Sequence, residues 1–136
     1  IPFLKKILQF FCFIWQKVIE MTTGISIPAS AQIGDSFYIG HFGGIILNAK
    51  TSIGNNCNLS QGVTIGVSGQ GENRGVPKIG NNVYVGANVV IAGSIMVEDN
   101  VLIGACSLVN TNVAAKSVML GVPAVKVSEK GSEGYV

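Results

Sequence analysis

The stretch from Ile79 to Val109 reads IGNNVYVGANVVIAGSIMVEDNVLIGACSLV. Aliphatic residues stand at Ile79, Val85, Ile91, Val97, Ile103 and Val109, six apart throughout. Gly follows at Gly80, Gly86 and Gly104. The fourth residue on is small or β-branched: Val83, Val89, Val101, Ser107. A period of six fits neither an isolated helix, whose period is 3.6, nor a hairpin meander. It is the hexapeptide repeat of a parallel β-helix. Each hexapeptide gives a short strand and a turn, and three close one triangular coil. The aliphatic residue points into the prism, the small one fits near the corner, and Gly or Asn allows the bend.

Outward from that stretch the same beat runs through Ile27, Ile33, Ile39 and Ile45, and through Ile53, Leu59 and Ile65. Stacked coils share strand-to-strand hydrogen bonds, and several repeats are needed before a continuous core exists. The stations found suffice for roughly four coils. The expected fold is therefore mainly β, a left-handed parallel β-helix over residues 26–127. The beat breaks twice. Between Ile39 and Ile53 it is two residues too long, around His41-Phe42-Gly43-Gly44. Between Ile65 and Ile79 it is eight too long, and residues 67–78, VSGQGENRGVPK, are expected to leave the prism as a loop. A regular scaffold interrupted by loops is where function tends to sit.

Upstream, residues 2–21 read as one helix of an N-terminal segment, 1–25. Pro2 suits a first turn and Gly24 a stop. Phe3, Ile7, Phe10, Phe11, Ile14, Trp15 and Val18 share a face. That face packs on the prism or a neighbouring copy, or else lies on a membrane surface. Lys5, Lys6, Lys17 and Glu20 bracket the apolar run too closely for a span of about 20 residues. The chain opens on Ile1 rather than Met, so its first residues say nothing of a leader. Downstream, Pro123 is expected to end strand pairing, and the polar tail 128–136 to be loose.

Composition narrows the classes of function. Hydrophobic residues make up 48% and charged residues 12%, which argues against disorder and for surface buried between copies. Nine basic and seven acidic residues leave a net charge of +2, with no basic stripe for nucleic acid. Cys12, Cys57 and Cys106 form no CxxC pair, so free thiols in a reducing cytoplasm are expected, and no metal site.

Three motifs add to the repeat: Ile39-Gly40-His41-Phe42-Gly43-Gly44-Ile45, Gln61-Gly62-Val63-Thr64-Ile65-Gly66, and Gly121-Val122-Pro123-Ala124. With them, residues 27–127 resemble the hexapeptide-repeat acyltransferases of the serine acetyltransferase-like branch. Their texture is closest to the short homologues associated with capsule and exopolysaccharide synthesis. The resemblance implies direct acetyl transfer from acetyl-CoA to a hydroxyl, in a homotrimer whose active site lies between two prisms. Carbonic anhydrases of this fold hold zinc with three imidazoles, and this chain has one His.

An alcohol at neutral pH needs a base within reach of its proton, and imidazole suits the task. His41, the lone His, stands at the irregularity of the repeat, and its motif marks it as that base rather than a surface residue on a bulge. Gly66 and the loop start at Ser68 offer backbone N–H groups to a thioester oxyanion, or are simply flexible. By motif position the resemblance places Ala87 and Ala105 along the pantetheine arm, or they mark tight corners. Lys126 is a contact for a CoA phosphate or an ordinary solvated lysine.

Serine acetyltransferases carry a second His in an Arg-His-Pro-Lys-Ile run, where this chain has Val76 after Arg74-Gly75. They carry Asp before the catalytic His, where Gly40 stands, and an orienting Asp at the place of Ser26. Gly40 offers an amino acid's ammonium no carboxylate, although Arg74 can hold a carboxylate. A sugar or polysaccharide hydroxyl is therefore the expected acceptor. Free serine is the alternative, and a non-catalytic trimeric scaffold a third reading.

Overall fold

The computed structural model describes residues 1–136, the Asn73 side chain excepted. The chain is a left-handed parallel β-helix preceded by one α-helix. Each coil contributes one short strand to each of three sheets. Sheet A holds β1 (Ile25–Ser26), β4 (Ile45–Leu47), β7 (Thr64–Gly66), β10 (Val90–Ala92) and β13 (Leu108–Val109), stacked in that order. Sheet B holds β2 (Gln32–Ile33), β5 (Ser52–Ile53), β8 (Lys78–Ile79) and β11 (Met96–Val97). Sheet C holds β3 (Tyr38–Ile39), β6 (Asn58–Leu59), β9 (Tyr84–Val85), β12 (Leu102–Ile103), β14 (Val118–Gly121) and β15 (Ala124–Ser128). All pairings between coils are parallel, and β15 alone folds back antiparallel on β14.

The inward positions are those the six-residue beat marks. Leu59, Ile65, Val85, Ile91, Val97 and Ile103 are fully buried, and so are the corner residues Cys57, Val63, Val83, Val89 and Val101. Each buried aliphatic side chain contributes about 1.5–3 kcal/mol. One station shifts. β4 pairs with β7 as Leu47 opposite Ile65 and Ile46 opposite Thr64, so Leu47, not Ile45, stands in line with Ile53 and Leu59. Ile45 fills the corner place that Val63 fills one coil on. The two extra residues therefore fall between Ile39 and Ile45, around His41.

Between sheets B and C the chain turns through Asn56, Asn82 and Asn100, all with positive φ, where Asn is among the few residues tolerated. Their amides form a ladder down that corner, Asn56 donating to Asn82 at 2.9 Å and Asn82 to Asn100 at 3.2 Å.

Two expectations need correction. Pro123 does not end pairing. It sits in the turn of the β14–β15 hairpin, and pairing resumes at Ala124, because the turn residues themselves need no ladder N–H. Nor is the tail loose. Asn58 donates its amide to the Tyr135 carbonyl at 2.8 Å, the Tyr135 ring lies 5.1 Å from that of Tyr84, and Ser132 is buried. Polar tail groups find partners on the outer face of sheet C.

The helix α1 runs from Pro2 to Thr23 and ends at Gly24, in the left-handed conformation, whose N–H reaches the Glu20 carbonyl at 2.9 Å. It meets the prism at β1, and none of its residues is buried. No helix among the described residues is long and apolar enough to cross a membrane.

Candidate active site

His41 stands at the corner where sheet C passes into sheet A. Two backbone bonds to the next coil bracket it: Gly40 N–H donates to the Leu59 carbonyl at 3.2 Å, and Gly62 N–H to the Gly43 carbonyl at 2.9 Å. The next coil covers the same corner with Ser60-Gln61-Gly62, two residues fewer. Pinned at both ends, the surplus must bulge outward, and His41 and Phe42 are both exposed, Phe42 at 77%. The irregularity thus lifts the only imidazole of the chain off the prism wall.

Below it the same edge is built from turns stacked in step. Asn88 N–H donates to the Gln61 carbonyl at 2.9 Å, and Cys106 N–H to the Ala87 carbonyl at 2.8 Å. At one strand spacing per coil, Ala87 lies about 10 Å and Ala105 about 14 Å along the edge from the His41 turn. The edge is close-fitted: a Cβ on Gly86 would stand 2.7 Å from the Ala105 nitrogen. Small residues leave the backbone of these turns open to an extended ligand.

Gly66, Ser68 and Arg74 occupy the other edge of sheet A, where it passes into sheet B. Gly66 ends β7 and accepts a hydrogen bond from Gly93 N–H at 3.3 Å. The loop then forms a short antiparallel bridge, Ser68 N–H to the Gly75 carbonyl at 3.2 Å and Gly75 N–H to the Ser68 carbonyl at 3.0 Å. The Ser68 N–H is therefore spent inside the loop and is not free for an oxyanion, because the loop closes on itself. Ser94 lies so close beneath Gly75 that a Cβ there would stand 2.4 Å from Ser94 Cβ. Arg74 is exposed and lines a hollow of about 480 Å³ with Asn48, Lys50, Val67, Gly75 and Val76. No carboxylate among the described residues lines it.

Lys126 lies elsewhere, on β15, five strands along sheet C from β3, about 24 Å at the usual strand spacing. Its ammonium is 2.8 Å from the Glu129 carboxylate, which that contact holds below its ordinary pKa. Ser26, at the place of the orienting Asp, donates to Glu20 at 3.3 Å. Within one chain, then, His41, Gly40, Ala87 and Ala105 share an edge, while Gly66, Ser68 and Arg74 share the opposite edge.

Sequence reasoning missed Lys50 and Asn48 beside Arg74. The signal was present in the repeat: Lys50 follows Leu47 at the same corner at which the loop follows Ile65 one coil later. Counting corners rather than motifs would have found it.

A triangular prism of hexapeptide coils, carrying here a raised imidazole at the head of an edge of small turn residues, is similar to known transferases. Residues 77–111 match the family model described as bacterial transferase hexapeptide (six repeats). The chain is also similar to serine acetyltransferases. The Staphylococcus epidermidis enzyme is 38% identical over 109 residues, 80% of this chain and 51% of that one. The Neisseria gonorrhoeae serine acetyltransferase in complex with serine superposes with a TM-score of 0.79 at 32% identity, covering 88% of this chain and 49% of that one. The Brucella abortus serine acetyltransferase in complex with coenzyme A gives a TM-score of 0.84 at 28% identity, covering 93% and 51%. The chain spans about half the length of the curated relatives it matches.

Proposed function

We propose that the protein is an O-acetyltransferase that moves an acetyl group from acetyl-CoA to a hydroxyl, with His41 as general base. The observation that carries this is the bulge that raises His41 at the head of the Ala87–Ala105 edge. The acceptor oxygen attacks the thioester carbon while the imidazole takes its proton. The tetrahedral oxyanion is held by backbone N–H groups at the base of the loop that neither the β7–β10 ladder nor the Ser68–Gly75 bridge uses. Collapse breaks the C–S bond, the imidazolium returns the proton to the thiolate, and CoA leaves as its thiol. No acyl-enzyme is needed. Cys57 has no part in this, since it donates its thiol to the Gly80 carbonyl at 3.2 Å and burial pushes its pKa up.

A site made by two copies fits the division of residues between two edges of sheet A. The loop edge of one prism, brought against the His41 edge of another, unites Gly66 and Arg74 with the base. The outer face of sheet A between them presents Ile46 and Val90 on either side of Thr64, a mixed but uncharged surface that suits a contact between copies of this chain.

For the acceptor, the serine acetyltransferase relatives support L-serine better than the sugar hydroxyl expected from sequence. Arg74, with Lys50 beside it, suits a carboxylate. A second reading, a sugar or glycan hydroxyl, is favoured by Gly40 and Val76, which supply neither carboxylate nor imidazole. Release of CoA thiol from acetyl-CoA, followed with L-serine, nucleotide sugars and oligosaccharides, separates them. Turnover with L-serine alone supports the first reading, and turnover with a sugar alone the second. No release with any acceptor, joined to no CoA binding, removes both in favour of the scaffold.

A further inference from the structure

We propose that α1 docks the protein on an anionic lipid surface, lying along the bilayer and not through it. The helix is about 33 Å long at 1.5 Å per residue. It buries none of its residues against the prism. At 100° per residue its apolar side, which includes Leu4, Ile7, Phe11, Ile14, Trp15 and Val18, takes up more than half the circumference. The remaining strip carries Lys5, Gln9, Gln16 and Glu20, with Lys6 and Lys17 at its margin and one exposed ring, Phe13, beneath the Lys17 ammonium.

Charge selects the occupant. Glu20 is the only acidic residue of the helix, and Lys17 neutralises it at 2.6 Å. Lys5 and Lys6 have no carboxylate partner among the described residues, so the strip is net positive. A second copy of the helix is a poor fit. Helix pairing needs a narrow seam, and it would leave much of this wide aromatic arc in water. It would also bring like charges together in a parallel pair. A bilayer interface receives the whole arc, and the lysine stems reach up to anionic headgroups. The lysines and Glu20 preclude a full crossing. This inference stands apart from the acetyl-transfer reading.

The test uses the full chain and its single tryptophan, Trp15, on the apolar side of the helix. Vesicles of phosphatidylcholine with and without phosphatidylglycerol are added, and co-flotation and Trp15 emission are recorded. Expected are co-flotation with the anionic vesicles and emission moving to shorter wavelength. Lys5→Glu with Lys6→Glu should weaken binding about 30-fold or more, at roughly 1 kcal/mol per lysine. Phe11→Ser should abolish the emission shift while circular dichroism shows an unchanged prism. Two results would overturn the proposal. One is no co-flotation with either vesicle. The other is a Trp15 emission already at short wavelength without lipid and unchanged by it, the mark of a helix covered by protein.

Discussion

Cys57 and Cys106 sit on turns of the same prism and meet opposite fates. Cys57 occupies an inward corner, fully buried, and desolvation raises its pKa. Cys106 is exposed on the edge that carries Ala105. Native alkylation read by mass spectrometry should therefore leave Cys57 unmodified and label Cys106, and CoA should slow the labelling of Cys106. Equal labelling of Cys106 with and without CoA would argue against the cofactor running along this edge. His41→Ala should lower turnover by about 10²–10⁴-fold with CoA affinity retained. Steady-state kinetics and CoA titration read both quantities. A mutant as active as the wild type removes the base.

Among the elements, the strands were legible and their exact register was not. One inward aliphatic every six residues is a local pattern, so thirteen stations could be read from residues alone, and twelve hold. The exception is Ile45. An insertion of two residues leaves both Ile45 and Leu47 aliphatic, and only pairing with β7 decides which lines up with Ile53. The loop was visible as a gap in the beat, but its Ser68–Gly75 closure depends on Gly75 fitting against Ser94, a contact between coils. Likewise the periodicity of α1 shows an apolar face and not what that face meets. Ile91→Ala should cost about 2–5 kcal/mol and Gly75→Ala about 1–3 kcal/mol, both read by denaturant unfolding. The first removes a core station shared by β7, β10 and β13. The second forces the loop away from Ser94, so it should also impair acetyl transfer, which the core substitution should not do in the protein that remains folded.

The whole molecule explains why the candidate site was only half legible. Motifs gave His41, Ala87 and Ala105, which one edge gathers. They also gave Gly66 and Arg74, which the prism holds on the other edge, and Lys126, which it holds on sheet C against Glu129. Spacing along a chain carries no information about which edge of a neighbour each edge will face. We propose that association into a trimer resolves this across a sheet A that presents Ile46 and Val90 outward, the loop edge of one copy completing the imidazole edge of the next. Complementation between two disabled chains tests that sharing most directly. His41→Ala and a chain lacking residues 69–74 are each inactive on their own, and co-assembled trimers should recover CoA release, because some seams then pair an intact imidazole with an intact loop. Mixed trimers that form and stay as inactive as either parent would contradict a site shared between copies.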